Sequence, residues 1–316
     1  MAGRALKNSP MISSYDAGFD IGGTQIKFGL VDRDGRLGQK GRVRSPGAMA
    51  EILAVVKETW TGLKRRAPGP IRSCGFGIAG FYSIKERKIL QSPNYPSLNG
   101  YPILPALRRI IDVPVRIGND ANMAAYGEFR HGAGRDVRSL VLFTVGTGIG
   151  GGIVLDGKLW EGEGGFAGEL GHITVNPEGE PCKCGKRGCL ETEASAPRMV
   201  RNFQTLTGRT DVTDSREVYL LAKAGDPAAL ESFRRLAYWL GIGIGITITS
   251  LNPEKILIGG GVVSAGKLLL GPVVEEARRR SHPIPFAGCS IEKASLGNDA
   301  GLVGAAAWAR LKDGRG

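Results

Sequence analysis

Apolar stretches separated by glycine turns divide the first half of the chain into predicted strands and helices. From Phe19, the sequence FDIGGTQIKFGLVDRDGRL predicts a strand, a glycine turn, a second strand, an Asp-Gly turn and a third strand. Apolar side chains at helical spacing then predict a helix over 50–66. The remaining elements predicted for this half are a strand at 74–79, a loop rich in Pro and Asn through 102, a short helix around 104–111, a strand at 114–117 and a helix over 121–130.

The opening pattern returns near the middle of the chain. The sequence LVLFTVGTGIGGGIVLDGKL, which starts at 140, again predicts a strand, a glycine turn, a strand and an Asp-Gly turn. Segments 19–32 and 143–156 match in outline at the same length, which indicates two related α/β halves whose glycine turns face a common cleft. The elements predicted after this repeat are helices that include 227–239, a strand at 255–261, a further helix, and a last helix over 300–311 behind Asp299 as its N-cap.

The chain is long enough for two domains. Residues 1–17 are polar and lack periodicity, so we expect a flexible N-terminal extension. Residues 18–138 then form a first α/β domain and residues 139–316 a second one.

Glycine and charge are the two unusual features of the composition. The 49 glycines among 316 residues are about twice the usual share, and they cluster after apolar strands, where phosphate-binding loops occur. The net charge of +12 comes with short basic clusters at predicted helix ends, which are typical of solvated surfaces. We therefore expect no nucleic-acid partner. The apolar run at 240–251 is too short to span a bilayer, so it predicts a buried element and no membrane partner.

One histidine and three thiols lie within eighteen residues: His172, Cys182, Cys184 and Cys189. They form a complete tetrahedral ligand set for zinc at a closed structural site. Glycines between the last two cysteines suit the sharp turns of a chain that wraps a metal. The alternative is a set of reduced, buried cysteines, but the stretch offers few apolar residues to bury against. No signal peptide is visible, which disfavours disulfides and predicts a reducing cytoplasm.

Three glycine clusters follow predicted strands: Gly22–Thr24, Gly146–Gly152 and Gly259–Gly261. None matches GxxxxGK[ST] or GxGxxG in its usual setting, and each alone is also compatible with a simple hairpin. Together they suit a nucleotide held by backbone N–H groups, with Thr24 and Thr147 at phosphate oxygens and the third cluster beside the adenosine.

Asp120 is the candidate general base. It follows an apolar strand and precedes a helix, so it lies at the carboxyl end of a strand, where the active sites of open α/β sheets gather. The alternative is that Asp120 only caps the helix. Asn94, in SPNYP, suits either a polar contact to a ligand or a simple turn.

These motifs resemble the ROK (repressor, open reading frame, kinase) family of bacterial sugar kinases and sugar-responsive regulators. The resemblance runs from about residue 18 to 310 and keeps the family order. The motifs that carry it are DIGGT at 20–24, NDAN at 119–122, GTGIGGG at 146–152, ELGH at 169–172, CKCGKRGCLE at 182–191 and IGGG at 258–261. It implies an actin-like, hexokinase-type fold with two α/β domains around an interdomain cleft.

The resemblance also implies roles for individual residues. Asp120 is the expected catalytic base, and the expected sugar-binding residues are Gly80, Asn94, Asn119, Asp120, Glu169, His172 and Glu191. His172 would serve twice, with one ring nitrogen on zinc and the other donating to a sugar hydroxyl. The residues expected to bind ATP and its Mg²⁺ are Asp20, Gly22, Gly23, Thr24, Gly146, Thr147, Gly148, Gly259, Gly260 and Gly261. Family kinases commonly carry Lys where this chain has Gln25, so no phosphate-binding lysine is assigned.

The activity implied is ATP-dependent phosphorylation of the 6-hydroxyl of a hexose, in a cytoplasmic homodimer with structural zinc. The glucokinase branch is the most similar, which makes glucose the first candidate, and N-acetylglucosamine and N-acetylmannosamine are the alternatives. A sugar-responsive regulator would need a DNA-reading unit ahead of DIGGT, and the nineteen residues before Asp20 disfavour one. A basic zinc-binding nucleic-acid module would leave the glycine loops and NDAN unexplained.

Overall fold

The computed structural model describes residues 14–92 and 95–311. Its strands are β1 (Tyr15–Ile21), β2 (Gln25–Val31), β3 (Leu37–Arg44), β4 (Ile71–Ile78), β5 (Phe81–Ser83), β6 (Lys88–Gln91), β7 (Val115–Asn119), β8 (Leu140–Val145), β9 (Ile149–Leu155), β10 (Lys158–Leu159), β11 (Lys255–Gly259) and β12 (Ser290–Lys293). Its α-helices are α1 (Met49–Arg66), α2 (Ile103–Arg108), α3 (Asp120–His131), α4 (Leu190–Ala194), α5 (Ala196–Thr207), α6 (Ser215–Lys223), α7 (Pro227–Leu251), α8 (Lys267–Arg280), α9 (Pro283–Ala287) and α10 (Ala300–Ala309). Short 3₁₀ turns lie at Pro96–Leu98, Leu170–His172, Gly261–Ala265 and Gly297–Asp299.

The strands form two five-stranded sheets of the same design and one small hairpin. The first sheet has the order β3-β2-β1-β4-β7, and the second has the order β10-β9-β8-β11-β12. In each sheet the opening pair is antiparallel, and the strands that follow run parallel to the first member of that pair. The matching order confirms the internal repeat that the sequence predicts.

Helices α3 and α10 pack against each other between the two sheets, and each lies on the sheet of the other half. Helix α3 contacts β8 and β9, whereas α10 contacts β1 and β4. Glycines permit this approach, because a Cβ at Gly304 would lie 1.7 Å from the carbonyl oxygen of Met123 and one at Gly75 would lie 1.8 Å from that of Ala305. Backbone therefore packs on backbone where α10 meets α3 and the first sheet.

The structure corrects the predicted N-terminal extension. Residues 15–17 belong to β1, and Asp16 is only 3% exposed. Its carboxylate accepts hydrogen bonds from Ser73 Oγ at 2.6 Å and from Arg310 Nε at 2.6 Å. The segment looks exposed from its sequence because it contains a charged residue. The partners of that buried charge come from distant parts of the chain, namely β4 and the turn after α10. The rest of the predicted extension, residues 1–13, lies outside the described residues.

The packing of α10 also bears on the predicted domain division. The boundary between 138 and 139 separates the two sheets along the chain, but α10 packs on the first sheet and α3 on the second. The division into 18–138 and 139–316 stays a proposal. A single boundary along the sequence does not follow the packing, because each of these two helices contacts the sheet on the other side of that boundary.

Other elements differ from their predictions in detail. Asp299 occupies the predicted N-cap position of α10, but its side chain makes no capping hydrogen bond and instead pairs with Lys40 Nζ at 2.7 Å. The apolar run at 240–251 continues helix α7 and buries most of its residues. The loop predicted through 102 contains the hairpin of β5 and β6. Within the described ranges, no helix is both long and apolar enough to cross a membrane.

Candidate active site

Three parallel strands of the first sheet end at one edge and bring polar residues together there. Strands β1, β4 and β7 are neighbours, so Asp20, Gly80 and Asp120 all lie at this carboxyl edge. Asp20 is largely buried, and its Oδ2 accepts a hydrogen bond from Lys27 Nζ at 3.1 Å. The same ammonium group donates to the carbonyl oxygen of Asn298 at 3.0 Å. The edge therefore carries carboxylates that are only partly neutralised.

Asp120 is the first residue of α3 and is half-buried. Burial, together with the nearby charge of Asp20, raises the pKa of its carboxyl to about 6. The backbone N–H of Ala121, which donates to Oδ1 at 2.9 Å, and the ammonium group of Lys27 act in the opposite direction on the pKa. A carboxylate with this pKa is ionised at neutral pH and is basic enough to accept a proton from a hydroxyl group.

The N-cap of α3 is Asn119, so the alternative in which Asp120 serves only as a helix cap is not what the structure shows. The Asn119 Oδ1 atom accepts from the backbone N–H groups of Ala121 at 2.9 Å and Asn122 at 3.1 Å. Its Nδ2 atom donates to the carbonyl oxygen of Gly80 at 3.3 Å, which uses one of the two amide hydrogens. Asn119 thus joins the ends of β4 and β7 and keeps one donor for a ligand. The predicted contact Asn94 lies outside the described residues.

The second half contributes two carboxylates to the same region. Burial, together with the nearby charges of Asp120 and Glu191, raises the pKa of Glu169 to about 7. Glu191 lies at the start of α4, and its Oε2 accepts from the backbone N–H of Ile149 at 2.9 Å. We name Asp20, Asp120, Glu169 and Glu191 the carboxylate cluster. The charge of Asp120, in the first half, is close enough to raise the pKa of Glu169, in the second half. Residues from both halves therefore face one cleft.

Two of the three glycine clusters are hairpin turns in equivalent places. Residues 22–24 join β1 to β2, and residues 146–148 join β8 to β9. Glu191 packs against the second turn so closely that a Cβ at Gly148 would lie 2.2 Å from its Oε2 atom. The third cluster follows β11, where a Cβ at Gly260 would lie 2.2 Å from the carbonyl oxygen of Val145. The second and third clusters therefore meet, as a common nucleotide site requires.

The four predicted metal ligands converge. The Nδ1 atom of His172 lies 3.6 Å from Cys182 Sγ, and Cys184 Sγ lies 3.5 Å from Cys189 Sγ. All four ligand atoms lie within 4.8 Å of one another. Zinc–sulfur bonds of about 2.3 Å place the corners of a tetrahedron roughly 3.8 Å apart, so this set fits zinc in both chemistry and spacing. The other ring nitrogen, Nε2, faces Glu169 Oε2 at 4.0 Å, which is too long for a direct hydrogen bond.

The cysteine loop is held to the site by its own backbone. Gly185 and Gly188 adopt positive φ angles of 90° and 62°, which confirms the predicted turns. A Cβ at Gly188 would lie 1.4 Å from the carbonyl oxygen of Asn176, so no other residue fits that turn unchanged. The N–H of Leu190 donates to the carbonyl oxygen of Ile173 at 2.9 Å, which fixes the residue before Glu191. The cysteine loop therefore helps to position Glu191, one member of the carboxylate cluster.

The structure adds two residues that the sequence did not single out. Lys27 pairs with Asp20, and the cross-strand register of β1 and β2 would have indicated this contact. Glu161 is half-buried near Arg116, and burial raises its pKa to about 7. Nothing in the local sequence marks Glu161, because its burial depends on how the segment after β10 folds back.

Taken together, the fold and the site define a class of protein. Two sheets of equal topology each carry a glycine turn at the same place, and a carboxylate of raised pKa lies at the carboxyl end of β7 in the first sheet. Backbone turns of this kind hold phosphates, and a basic carboxylate beside them activates a hydroxyl acceptor. This is the arrangement of a phosphotransferase with an actin-like fold.

Comparison with known proteins identifies the group within that class. The chain belongs to the ROK family, whose family model matches residues 16–312. It is 36% identical over 313 residues to a glucokinase of Halalkalibacterium halodurans, which covers 93% of this chain and 94% of the relative. The crystal structure of a ROK family glucokinase from Streptomyces griseus in complex with glucose and AMPPNP matches with a TM-score of 0.82 at 34% identity, over 94% of this chain and 99% of that chain. The predicted family and its hexokinase-type fold are confirmed.

Regulators of the same family are also similar to this chain. A xylose repressor of Bacillus spizizenii is 28% identical over 296 residues, which covers 92% of this chain and 76% of the repressor. The identity is lower than that to the glucokinase.

Proposed function

We propose that this chain is an ATP-dependent hexose kinase that phosphorylates the 6-hydroxyl of glucose. The observation that carries the proposal is the position of Asp120, a base of raised pKa at the carboxyl edge of the first sheet and beside Glu169 of the second half. The similarity of the chain to glucokinases over more than nine-tenths of its length supports glucose as the substrate.

In this mechanism Asp120 accepts the proton of the sugar 6-hydroxyl as its oxygen attacks the γ-phosphorus of ATP, whose bond to the bridging oxygen breaks so that ADP leaves. The phosphoryl transition state is loose, so positioning and electrostatics supply most of the rate. Asn119, Gly80, Asn94, Glu169, His172 and Glu191 are proposed to hold the sugar hydroxyls. Glu191 also fixes the turn at 146–148 through Ile149, which links the sugar pocket to the nucleotide site.

The nucleotide and its Mg²⁺ are proposed to occupy the three glycine clusters. Asp20 lies beside the turn at 22–24 and offers carboxylate oxygens, the ligands that Mg²⁺ prefers. Lys27 pairs with Asp20 and offers a positive charge near the transferred phosphate, in place of the lysine expected at Gln25. Gly146, Thr147 and Gly148 would contact the remaining phosphates, and Gly259, Gly260 and Gly261 the adenosine side.

His172, Cys182, Cys184 and Cys189 are proposed to hold structural zinc. All four ligand positions come from the protein, which suits a closed site without open coordination for water. The ion would fix the cysteine loop and therefore the orientation of Glu169, His172 and Glu191. With Nδ1 facing the thiols, Nε2 of His172 is the atom that donates to a sugar hydroxyl.

The test of the proposed activity is a coupled assay of ADP release with Mg-ATP. We expect turnover of glucose above that of N-acetylglucosamine, N-acetylmannosamine, mannose and fructose. Preferred turnover of an N-acetylated sugar would replace glucose with that substrate. Absence of turnover with every sugar, in folded protein that contains zinc, would favour a sugar-responsive binding or regulatory role, as in the xylose repressor that this chain resembles.

Removal of zinc is expected to weaken sugar binding more than ATP binding. Cys184 is the exposed ligand, so Cys184→Ser removes a zinc bond with little loss of packing. We expect less than one zinc per chain by elemental analysis and a KM for glucose at least tenfold higher, because the loop orients Glu169 and His172. Cys289→Ser is the matched control, since Cys289 lies outside the ligand set and should change neither quantity. Normal glucose binding by zinc-free protein would contradict this role.

The homodimer also stays a proposal, supported by the resemblance to the family. Light scattering after size-exclusion chromatography measures it directly. A mass near twice the chain mass of 33.5 kDa is the expected result.

A further inference from the structure

Tyr95 is a buried tyrosine whose hydroxyl lies at the turn between β1 and β2. The residue is only 2% exposed and follows directly after Asn94 in the chain. Its hydroxyl donates a hydrogen bond to the carbonyl oxygen of Gly22, a residue 73 positions earlier. We name residues 22–24 the phosphate turn and residues 95–99 the sugar loop. Tyr95 is therefore the side chain through which the sugar loop holds the phosphate turn.

The directions of these hydrogen bonds follow from the donor inventory. A carbonyl oxygen only accepts, so the single hydroxyl hydrogen of Tyr95 goes to Gly22, and Ser45 Oγ donates to the tyrosine oxygen. The backbone N–H of Ser45 also donates to the carbonyl oxygen of Thr24 at 2.9 Å. The two outer carbonyl groups of the phosphate turn are thus held from one side. In the part of the chain that the structure describes, the N–H groups of Gly23 and Thr24 have no protein acceptor, so they can donate to phosphate oxygens.

At its other end the sugar loop is tied to the residue before the proposed base. The backbone N–H of the tyrosine donates to the carbonyl oxygen of Ser92 at 3.3 Å. Ser92 Oγ donates to the carbonyl oxygen of Ala79 at 2.8 Å. The next carbonyl group, that of Gly80, accepts from Asn119 Nδ2 at 3.3 Å. A continuous path of hydrogen bonds therefore joins the phosphate turn to the start of α3.

We infer that Tyr95 is a positioning residue that couples sugar binding to the conformation of the phosphate turn. This inference rests on the proposed function and adds a device to it. A sugar held at Gly80 and Asn119 would fix Tyr95 through this path and, through the tyrosine hydroxyl, the free N–H groups of the turn. Nucleotide would then bind more tightly once sugar is present, and by linkage sugar would bind more tightly once nucleotide is present.

The test compares Tyr95→Phe with the wild type in nucleotide binding and in turnover. Dissociation constants of AMPPNP with Mg²⁺ are measured with and without saturating glucose, and their ratio gives a coupling factor. We expect a factor of about 5 or more in the wild type, within the usual range for coupled sites. In Tyr95→Phe the factor should fall to about 1, with glucose affinity in the absence of nucleotide changed by less than about twofold. The kcat value should fall about tenfold because the Gly22 carbonyl group loses a buried partner.

Tyr126→Phe is the matched control, because Tyr126 is also buried, at 3% exposure, and its ring contacts Trp308 of α10, with ring centroids 5.3 Å apart. It should keep the wild-type coupling factor. The inference would be overturned if Tyr95→Phe kept the wild-type coupling factor, or if the wild type showed no coupling. In either case, turnover of glucose by the wild type would still support the proposed function. A wild type that turns over no sugar would contradict the proposed function and this inference together.

Discussion

Asp120→Asn is expected to lower kcat for glucose phosphorylation by about 10²-fold or more, because the amide accepts no proton from the sugar hydroxyl. The measurement is the coupled assay with Mg-ATP and glucose. The wild-type kcat/KM should also fall as pH drops below about 6, where Asp120 becomes protonated. The variant should lose this dependence, and near-normal turnover in Asp120→Asn would disprove the assignment of the base.

The same substitution is expected to stabilise the fold, and this opposite effect distinguishes it from simple damage. The pKa of Asp120 is about 6 in the folded chain, against 3.8 for an ordinary aspartate. The folded state therefore disfavours the charged form of Asp120, which lowers the free energy of unfolding. This loss of stability is absent below about pH 4, grows between about pH 4 and 6, and is constant above that range. Asparagine removes the charge, so unfolding at pH 8 should cost on the order of 2 kcal/mol more in the variant. At pH 4 the two proteins should unfold alike.

Gly304→Ala is expected to destabilise the fold by about 3 kcal/mol or more, because the added methyl group would meet backbone that cannot move independently. A Cβ at this position would lie 1.7 Å from the carbonyl oxygen of Met123 and 2.7 Å from the backbone nitrogen of Gly127. Helices α3 and α10 would have to separate, and α3 carries Asp120 at its start. We therefore expect lower kcat as well as a lower midpoint in urea denaturation.

The matched control is Gly62→Ala in the middle of α1. Its Cβ would meet only the far end of the Arg66 side chain, at 3.3 Å, and that side chain can move aside. Alanine at a helix interior should be neutral or stabilise the protein by about 0.5–1 kcal/mol. If Gly304→Ala behaved like this control, the close crossing of α3 and α10 would not describe the protein in solution.

The features that the sequence predicts well are those whose residues lie close together in the chain. The four residues proposed to bind zinc come from one short stretch of the chain, and the glycine turns follow their own strands, so periodicity and spacing are enough to locate them. The same holds for Asp120 at the strand-to-helix junction. Each of these predictions needs only neighbours in the chain.

The features that sequence reasoning missed depend on partners far along the chain. Asp16 is buried in β1 because Arg310 reaches it, and no local pattern indicates that contact. Tyr95 reads as part of a turn-rich loop, yet its hydroxyl belongs to the phosphate turn. Asp299 does occupy the N-cap position of α10, but its carboxylate pairs with Lys40 instead of capping the helix. In each case a tertiary electrostatic partner overrides a local preference.

The exchange of α3 and α10 between the two sheets sets an order on biosynthesis. Strands β1 and β4 emerge from the ribosome early, but the helix that covers them is the last one described, beyond all of the second sheet. Until α10 is made, Gly18 and Gly75 lack the backbone of α10 that they pack against, and this face of the first sheet is uncovered. The first half therefore stays partly open until residues 300–309 have been made.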